Sequence, residues 1–520
     1  MKGASLSARG KRVLFAAVLL ICFGIGLWIR LDALTDRPLH ADEATGARLL
    51  GQRLEAGDYR FDPTHFHGPL LSAAAAPIAR LRGETDWASL TPQTLRLGVA
   101  WLGALTVLLA CAFRPWLGSA GAVGAGLFIA VSPYLAYYSR VFIHETLFGF
   151  LTLATLLALL HYARKPGTGV AALVGVAAGL LMATRETFVL CFAAWGAAAV
   201  LIAWETRRSG ELVLNHHVRA RGIRDAGVAL VLALATVAVF YTNAGKHPAG
   251  FLDFFRTFFL YETGEGHERP WWHYGWMLVW PKHQGGMWWT EGAVAVLAVL
   301  GYLSHRNGSN GRPVRFLFYS GLFLAAVFSL FPYKTPWLFL VPWLHFCLVA
   351  GAGAGALLRY RPLYPRLAAV AAVVVILGWH KGQADRALHR YASDTRNPYA
   401  YVPTSPDVER VAALLGELAE LFPDVRSGPV AVIGSGYWPL PWYLRELPAV
   451  GYWETIPEEA MDFPVLLALP AERAAVHERL EATHAVLPRG LRADTAVFVF
   501  IRHDLWERYL DQDDEEVDER

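Results

Sequence analysis

The chain has 520 residues, of which 55% are hydrophobic and only 18% are charged. A soluble domain usually carries about 25% charged residues, so this composition excludes a disordered chain, a nucleic-acid-binding module and an ordinary cytosolic enzyme. The net charge of +3 conceals an asymmetry, because residues 1–380 carry 33 Lys and Arg against 19 Asp and Glu, whereas residues 381–520 carry 14 against 25. We therefore expect a membrane domain followed by a body in different surroundings.

Long apolar runs predict the membrane domain, since a spanning helix needs roughly 20 mostly apolar residues. The first run follows Lys11 and Arg12, as in a signal peptide, but its length and the lack of a clear cleavage site favour a retained span. Eleven runs qualify, at 13–30, 95–113, 118–138, 144–162, 169–184, 187–204, 225–242, 288–304, 316–331, 337–358 and 366–380.

Basic residues predict the orientation of these spans, because cytoplasmic loops carry an excess of Lys and Arg. The N-terminus is basic and is predicted to be cytoplasmic. Alternating eleven spans then puts every strongly basic loop inside, and it puts the long loops 31–94 and 243–287 outside. The predicted organisation is a transmembrane domain over 1–380, an extracytoplasmic domain over 381–510 and a disordered acidic tail over 511–520.

The two long outer loops contain apolar segments of their own. GPLLSAAAAPIARLR at 68–82 is too short to span a bilayer and predicts a helix along the membrane interface. FLDFFRTFFLYE at 251–262 and WWHYGWMLVW at 271–280 are rich in aromatic residues. They fit either an interfacial belt or a groove for a lipid chain or a sugar ring, because both of these ligands favour aromatic faces.

The C-terminal body has the pattern of a small α/β domain. Ser405, Pro406 and Asp407 have the character of a helix start, and a second helix is predicted at 471–481. Apolar runs predict strands at 429–434, 464–469, 483–487 and 496–501. The predicted fold is thus a mainly α, polytopic transmembrane protein with a C-terminal extracytoplasmic α/β domain.

Polar and charged residues gather in five predicted outer loops. Charged groups at membrane depth are costly unless they pair or serve a purpose, and loops that emerge on one side of a bundle can combine acid, base and cationic groups in one pocket. The residues are Asp42 and Glu43, then His65 and His67, then Arg140, His144 and Glu145, then Arg185 and Glu186, and finally Tyr333, Lys334 and Trp337.

Several of these residues have a clear chemical use. Asp42 and Glu43 are adjacent carboxylates, and one of them can serve as a general base because like charge and partial burial raise a carboxyl pKa. The base would deprotonate an acceptor hydroxyl or amine. Lys334 and Arg185 offer positive charge to a phosphate leaving group.

The histidines leave two uses open. His67 or His144 can assist the chemistry, or a histidine can ligate a divalent cation together with a carboxylate. The candidate ligands of such a cation are Asp42, Glu145 and His144, and the sequence does not decide whether a metal is needed.

Each candidate also has a structural interpretation. Arg140 with Glu145, five residues apart, fits a supporting ion pair, or the pair can merely neutralise a helix end, as can Arg185 with Glu186. The residues that fit an interfacial position equally well are His65, His67, Tyr333 and Trp337.

The order and placement of these motifs resemble the GT-C superfamily of glycosyltransferases that use polyprenyl-phosphate sugars. The nearest branches are the protein O-mannosyltransferases and the lipid A aminoarabinose transferases, and the closest resemblance is to a bacterial and archaeal membrane family often labelled flippase-activity-associated. The motifs are HADEATGARLL (40–50), FHGPLL (66–71), YSRVFIHETLF (138–148), ATRETFVL (183–190), YKTPWL (333–338), YVPTSPDV (401–408) and PLPWYLR (439–445).

The resemblance implies inverting transfer of a sugar from a polyprenyl-phosphate donor to a glycan, lipid or protein acceptor. It implies that the reaction takes place on the outer face of the cytoplasmic membrane, with no nucleic acid as partner. By matching position it assigns Asp42 as the base with Glu43 beside it, Arg140 and Glu145 at the start of the fourth span, and Lys334 near the donor phosphate.

A second hypothesis is a translocator, or an accessory factor, for lipid-linked sugars that has no transferase activity. Transporters often contain internal repeats or broken helices near the membrane midplane. The sequence has no evident repeat, and its charged residues collect at the outer rim. A third hypothesis, an inactive scaffold, is disfavoured because both acids and the basic loops are present.

Overall fold

A computed structural model describes residues 7–56, 59–64, 66–208, 216–260, 266–359, 362–458 and 462–518. The predicted site residue His65 lies outside the described residues. A short hairpin of β1 (Lys282–Gln284) and β2 (Met287–Trp289) interrupts an otherwise helical N-terminal part. Its helices are α1 (Ala8–Leu31), α2 (Ala41–Ala56), α3 (Leu70–Leu81), α4 (Pro92–Ala112), α5 (Arg114–Val131), α6 (Pro133–Tyr138), α7 (His144–Arg164), α8 (Thr168–Met182), α9 (Phe188–Arg208), α10 (His216–Tyr241), α11 (Gly250–Leu260), α12 (Gly292–Ser304), α13 (Arg312–Leu330), α14 (Leu340–Leu357) and α15 (Leu363–Asp385).

All eleven predicted spans fall on helices, and eight helices in the described part of the chain are long and apolar enough to cross a membrane. The other three predicted spans are shorter or divided. α8 has 15 residues and α12 has 13, because the start of the predicted span 288–304 belongs to β2. The predicted span 118–138 is divided between α5 and α6, where Ser132 caps a new helix that begins at Pro133. The chain is a multi-pass membrane protein.

The helix α14 forms the centre of the bundle. Within an apolar 18-residue window of the stretch Pro336–Leu357, 89% of the residues are buried. Small residues allow this close packing: a Cβ at Gly351 would overlap the backbone of α5, and one at Gly353 would overlap the backbone of α12. The AGAGAG run of α14 therefore places two neighbouring helices in direct backbone contact.

A buried carboxylate joins three of the central helices. Glu291 precedes α12 and is fully enclosed. It accepts hydrogen bonds from the Ser132 hydroxyl at 2.7 Å, the Tyr134 backbone N–H at 3.0 Å and the Trp343 indole N–H at 3.0 Å. These bonds offset part of the cost of burying the carboxyl group, and they fix the start of α6, whose far end leads into the predicted site.

The C-terminal body contains α16 (Asp407–Leu421), α17 (Pro423–Ser427), β3 (Val430–Ile433), α18 (Leu440–Tyr443), β4 (Val450–Trp453), β5 (Val465–Ala468), α19 (Arg473–Leu480), β6 (His484–Arg492), β7 (Thr495–Arg502) and α20 (His503–Asp518). In the described residues the sheet order is β4-β3-β5-β7-β6, parallel around β3 and antiparallel around β7. The helices α16, α18 and α20 pack on one face, and α19 packs on the other.

Four predicted strands and both predicted helices of this body are confirmed, whereas the edge strand β4 was not predicted. The prediction of a disordered tail over 511–520 is wrong as far as Asp518, because α20 continues to that residue. The preceding apolar residues of α20, among them Leu505, pack on the sheet and anchor the helix from which the acidic segment extends.

The C-terminal body is tied to the loop that precedes α2. The Leu39 backbone N–H donates to the Tyr443 hydroxyl at 2.8 Å, and the Leu39 carbonyl accepts from the Thr404 hydroxyl at 2.7 Å. The Arg445 guanidinium donates to the carbonyl of Leu90 at 3.2 Å, just before α4. These bonds connect the body to the segment that carries the predicted base.

Candidate active site

Segments far apart in sequence line one pocket of about 170 Å³ at the end of the bundle that faces the C-terminal body. The first turns of α2 and α7 and the segments between helices supply the polar groups, and apolar side chains fill the spaces between them. Predicted site residues in the pocket wall are Asp42, His67, His144, Glu145, Arg185, Tyr333 and Trp337. The prediction that these loops converge is therefore confirmed for these residues.

Asp42 lies in the first turn of α2, and its side chain is 51% exposed. Its backbone N–H donates to His40 Nδ1 at 3.2 Å, while His40 Nε2 donates to the Tyr401 carbonyl at 3.0 Å. These two bonds require the His40 tautomer with its proton on Nε2. They hold the turn in place and leave the Asp42 carboxylate accessible to a ligand in the pocket.

Glu43 is fully buried and faces away from the pocket. Its carboxylate accepts from Arg96 at 2.9 and 3.0 Å and from Arg37 at 2.6 Å. The backbone N–H groups of His40 and Phe142 add bonds of 2.9 and 3.0 Å. Burial alone would raise the pKa of Glu43, but the two guanidinium groups outweigh it and hold the pKa far below its usual range. Glu43 was predicted to be catalytic. In the structure its contacts instead suit a residue that positions the turn carrying Asp42.

Two acids on either side of Arg185 have different partners. Glu145, at the start of α7, forms a very close ion pair with Arg185. Glu186 lies 2.8 Å from His67 Nδ1. Burial would raise the pKa of Glu186, but His67 and Arg185 outweigh it and lower the pKa to about 2. His144 Nε2 donates to the Gly68 carbonyl at 3.2 Å.

The predicted Arg140–Glu145 pair is wrong. The Arg140 guanidinium donates to the backbone carbonyls of Ile29 and Ala33 at the end of α1. The two residues separate because Arg140 lies in the turn before α7, on the α1 side, whereas Glu145 lies inside the helix and reaches the loop between α8 and α9. Arg140 does not line the pocket.

Lys334 also lies outside the pocket wall, and it is 1% exposed. Its ammonium group donates to the carbonyl of Arg269 at 3.0 Å and to the carbonyl of Phe331. Its backbone N–H donates to the carbonyl of His267 at 2.9 Å. Lys334 therefore ties the second long loop to the segment that carries Tyr333, and its predicted role near the donor phosphate stays a prediction.

Residues that were not predicted complete the site. Arg37 and Arg96 hold Glu43, and Tyr401 packs edge-on against Trp337 with ring centroids 5.4 Å apart. The Tyr401 hydroxyl bonds to His267. Burial raises the pKa of Tyr401, and Asp42 raises it further. Tyr401 begins the YVPTSPDV motif, which was the available signal, but nothing in the sequence placed it beside Asp42.

The described residues contain no group of three His, Cys, Asp or Glu side chains that could hold a metal ion. Of the three predicted ligands, Glu145 is engaged by Arg185 and His144 Nε2 by a carbonyl. These three side chains therefore do not form a cluster in the described part of the chain, and the metal requirement stays a prediction.

Two apolar grooves lie in the N-terminal, mainly helical part of the chain. One, of about 750 Å³, lies between the tryptophan-rich segment 271–280 and α13, which favours the groove interpretation of that segment. The other, of about 540 Å³, lies between α3 and α4. The second groove shares Leu71 and Phe142 with the pocket wall, so these two side chains adjoin both spaces.

The fold is that of the GT-C class of membrane proteins, and the predicted resemblance is confirmed at this level. The structure of ArnT from Cupriavidus metallidurans aligns over 96% of this chain and 99% of its own, with a TM-score of 0.62 and 16% identity. ArnT bound to undecaprenyl phosphate aligns with a TM-score of 0.61 and 15% identity. The oligosaccharyltransferase AglB from Archaeoglobus fulgidus, in complex with an inhibitory peptide and a dolichol-phosphate, aligns over 95% of this chain and 77% of its own, with a TM-score of 0.54 and 14% identity. No family model and no curated protein matches the sequence.

Proposed function

We propose that this protein is a membrane glycosyltransferase that moves a sugar from a polyprenyl-phosphate donor to an acceptor. The observation that carries the proposal is the convergence of Asp42 and Arg185 in one pocket wall beside an apolar groove. The shared fold supports it, because ArnT binds undecaprenyl phosphate and AglB is an oligosaccharyltransferase in complex with a dolichol-phosphate. The alternative of a translocator without transferase activity gains no support from either observation.

The donor would place its two chemically different parts in two adjoining spaces. The polyprenyl chain would occupy the groove between α3 and α4, because that groove is apolar and shares Leu71 and Phe142 with the pocket wall. The phosphate would lie by Arg185, whose planar guanidinium suits phosphate oxygens. The aromatic rings of Tyr333 and Trp337 would flank the sugar.

In the reaction, the Asp42 carboxylate would accept the proton of the acceptor hydroxyl or amine. The freed oxygen or nitrogen would attack the anomeric carbon from the face opposite the phosphate, and the bond from that carbon to the phosphate oxygen would break. The polyprenyl phosphate would leave with the bonding electron pair, and Arg185 would stabilise its negative charge. The sugar would thus be transferred with inversion.

The predicted divalent cation stays a prediction. No step above uses it, because the described side chains supply no three-ligand site. A cation could still be shared with donor phosphate oxygens, as Mg²⁺ often is. Transfer measured with EDTA and again after addition of Mg²⁺ or Mn²⁺ tests this requirement.

The proposed location is the cytoplasmic membrane, with the N-terminus inside and the C-terminal body outside. The basic loops of the sequence support this orientation. The pocket and the C-terminal body share one end of the bundle, so the reaction would occur on the outer face.

The test is Asp42→Asn, which removes the base and keeps the shape of the side chain. Because the side chain is half exposed, the variant should fold normally. Cells that carry it should lose one envelope sugar and accumulate the polyprenyl-phosphate sugar, as cells without the protein do, when both are measured by mass spectrometry. The matched control is Asp36→Asn, at an exposed position of the same loop, which should behave as wild type. Full transfer by Asp42→Asn would remove Asp42 as the base.

A further inference from the structure

A second cleft lies in the C-terminal body, away from the spans. It has a volume of about 680 Å³ and lies between α16, β6 and α20. It has no part in the proposed transfer chemistry. The side chains that give it its character are Asp407, Arg410, Glu417, Arg489, Trp506 and Tyr509.

Two aromatic rings form one wall of this cleft. Trp506 and Tyr509 are three residues apart on α20, so they lie on the same face of the helix. Their ring centroids are 5.6 Å apart, and their planes differ by only 18°. Both side chains pack against the hydrophobic core of the body, and both remain half-buried. The two rings stack on one another, and an exposed aromatic face of such a pair offers an apolar surface to the C–H face of a sugar ring.

The opposite wall carries hydrogen-bonding groups of both charges that already have a fixed arrangement. Asp407 accepts from Arg410 at 3.1 Å and from the Gly490 backbone N–H at 3.1 Å. The Tyr509 hydroxyl donates to Glu417 at 2.6 Å. The Arg410 side chain is 77% exposed and keeps most of its donors toward solvent. Acids and guanidinium groups in alternation suit hydroxyl groups, which both donate and accept.

We propose that this cleft binds a neutral oligosaccharide. A strongly anionic ligand would meet Asp407 and Glu417, and a strongly cationic one would meet Arg410 and Arg489, so the charges favour an uncharged, hydroxyl-rich ligand. A lipid chain would leave these charged groups unsolvated. The flat aromatic wall together with polar side chains fits a sugar better than an extended apolar segment.

The position of the cleft identifies the role of this oligosaccharide, in a step that rests on the proposed transferase function. Asp407 follows Tyr401 by six residues, and an extended chain of six residues spans at most about 22 Å. Tyr401 packs against Trp337 in the wall of the active pocket. The cleft therefore lies close enough to hold the distal part of an acceptor glycan whose end is in the pocket.

The experiment measures binding of the full-length protein, in detergent, to an array of defined neutral oligosaccharides of one to six hexose or pentose units. Binding should strengthen with length for one glycan class. Trp506→Ala and Arg410→Ala should each weaken binding at least tenfold. The Arg410 side chain is exposed, so Arg410→Ala should fold and still tests the cleft if Trp506→Ala does not fold. The matched controls are Trp453→Ala, on the edge strand β4, and Arg479→Ala, on α19 at the other face of the sheet. Both should bind as wild type.

The same array with Asp42→Asn separates the two proposals. Retained binding in Asp42→Asn together with lost binding in Arg410→Ala supports the cleft, whether or not the protein proves to be a transferase. Three outcomes would overturn it: no oligosaccharide binds at millimolar concentration, both controls weaken binding as much as the cleft variants do, or Arg410→Ala and every folded Trp506 variant bind as wild type.

Discussion

At the first turn of α2, two neighbouring carboxylates have opposite environments. Asp42 is half exposed in the pocket, whereas Glu43 is enclosed by Arg37 and Arg96. Neighbouring residues on a helix point in different directions, so one acid can face a substrate while the other faces the protein interior. The burial of Glu43 fixes the direction in which Asp42 points. In the proposed mechanism the two acids therefore have different roles: Asp42 accepts the proton and Glu43 positions the turn.

Replacing Glu43 by Gln should destabilise the protein more than replacing Asp42 by Asn. The variant leaves Arg37 and Arg96 without their buried counter-charge, and breaking a buried ion pair in this way typically costs roughly 3–5 kcal/mol. The melting temperature of the purified protein measures this. The exposed Glu420→Gln should melt as wild type does. Wild-type melting and wild-type transfer in Glu43→Gln would contradict the positioning role.

Glu186 predicts a dependence of stability on pH. Its pKa falls from the ordinary value of 4.5 to about 2 in the folded protein, a shift that corresponds to roughly 3 kcal/mol of stability. Because the folded pKa lies below the ordinary value, this contribution is fully present above about pH 4.5 and is lost as the pH falls toward 2. The melting-temperature difference between wild type and Glu186→Gln should therefore be larger at pH 5 than at pH 3 and should shrink steadily between them. A difference that grows on acidification would contradict the ion pair.

At the scale of elements, the site depends on close contact between the segment before α3 and the loop after α8. The Leu70 backbone N–H donates to the Ala183 carbonyl at 3.1 Å. A Cβ at Gly68 would collide with the same carbonyl. His67 and Arg185 face one another across this contact, so the backbone approach brings their side chains into one pocket.

Gly68→Ala should therefore abolish transfer. The added methyl group would push the two segments apart and would separate the His67–Glu186 pair. Transfer activity and the melting temperature check this, and we expect both to fall. Gly169→Ala, in α8, has open space at the position of its Cβ and should leave both unchanged. Wild-type activity in Gly68→Ala would mean that the contact does not shape the site.

The elements of the membrane domain could be predicted because long apolar runs have one stable solution in a bilayer, which is a helix. Interruptions were harder to predict. The division at Ser132 and Pro133 depends on a capping hydroxyl and on the bonds to Glu291, which come from another part of the chain. The strand β4 has only four residues and gains its backbone bonds from β3, so its own sequence gave little signal.

The site could be predicted as a set of loops but not as a set of contacts. Spacing and topology brought Asp42 and Arg185 to the same end of the bundle. Spacing did not reveal that Lys334 donates to backbone carbonyls, or that Arg96 reaches Glu43 across 53 positions. Such partners are set by tertiary packing, and the partners of a charged side chain decide whether it can meet a substrate.

The whole molecule combines a helical bundle that has basic loops with an acidic C-terminal body. This charge distribution predicts that the basic loops are cytoplasmic and that the body is extracytoplasmic. Cysteine labelling with a membrane-impermeant maleimide tests it, because all four native cysteines are buried and should react slowly. Asp494→Cys in the body should be labelled in intact cells. Arg306→Cys, in the exposed turn after α12, should be labelled only after the membrane is opened. The reverse pattern would invert the proposed topology.

The hydrogen bonds from the C-terminal body to Leu39 predict which substitutions a genetic screen should recover. Both backbone polar groups of Leu39 are held by side chains of the body, and the proposed base, Asp42, follows three positions later. A shift of the body is thus transmitted along a few bonds to the turn that aims Asp42. Inactivating alleles recovered in a genetic screen should accordingly include Thr404 and Tyr443 substitutions, although neither side chain lines the pocket.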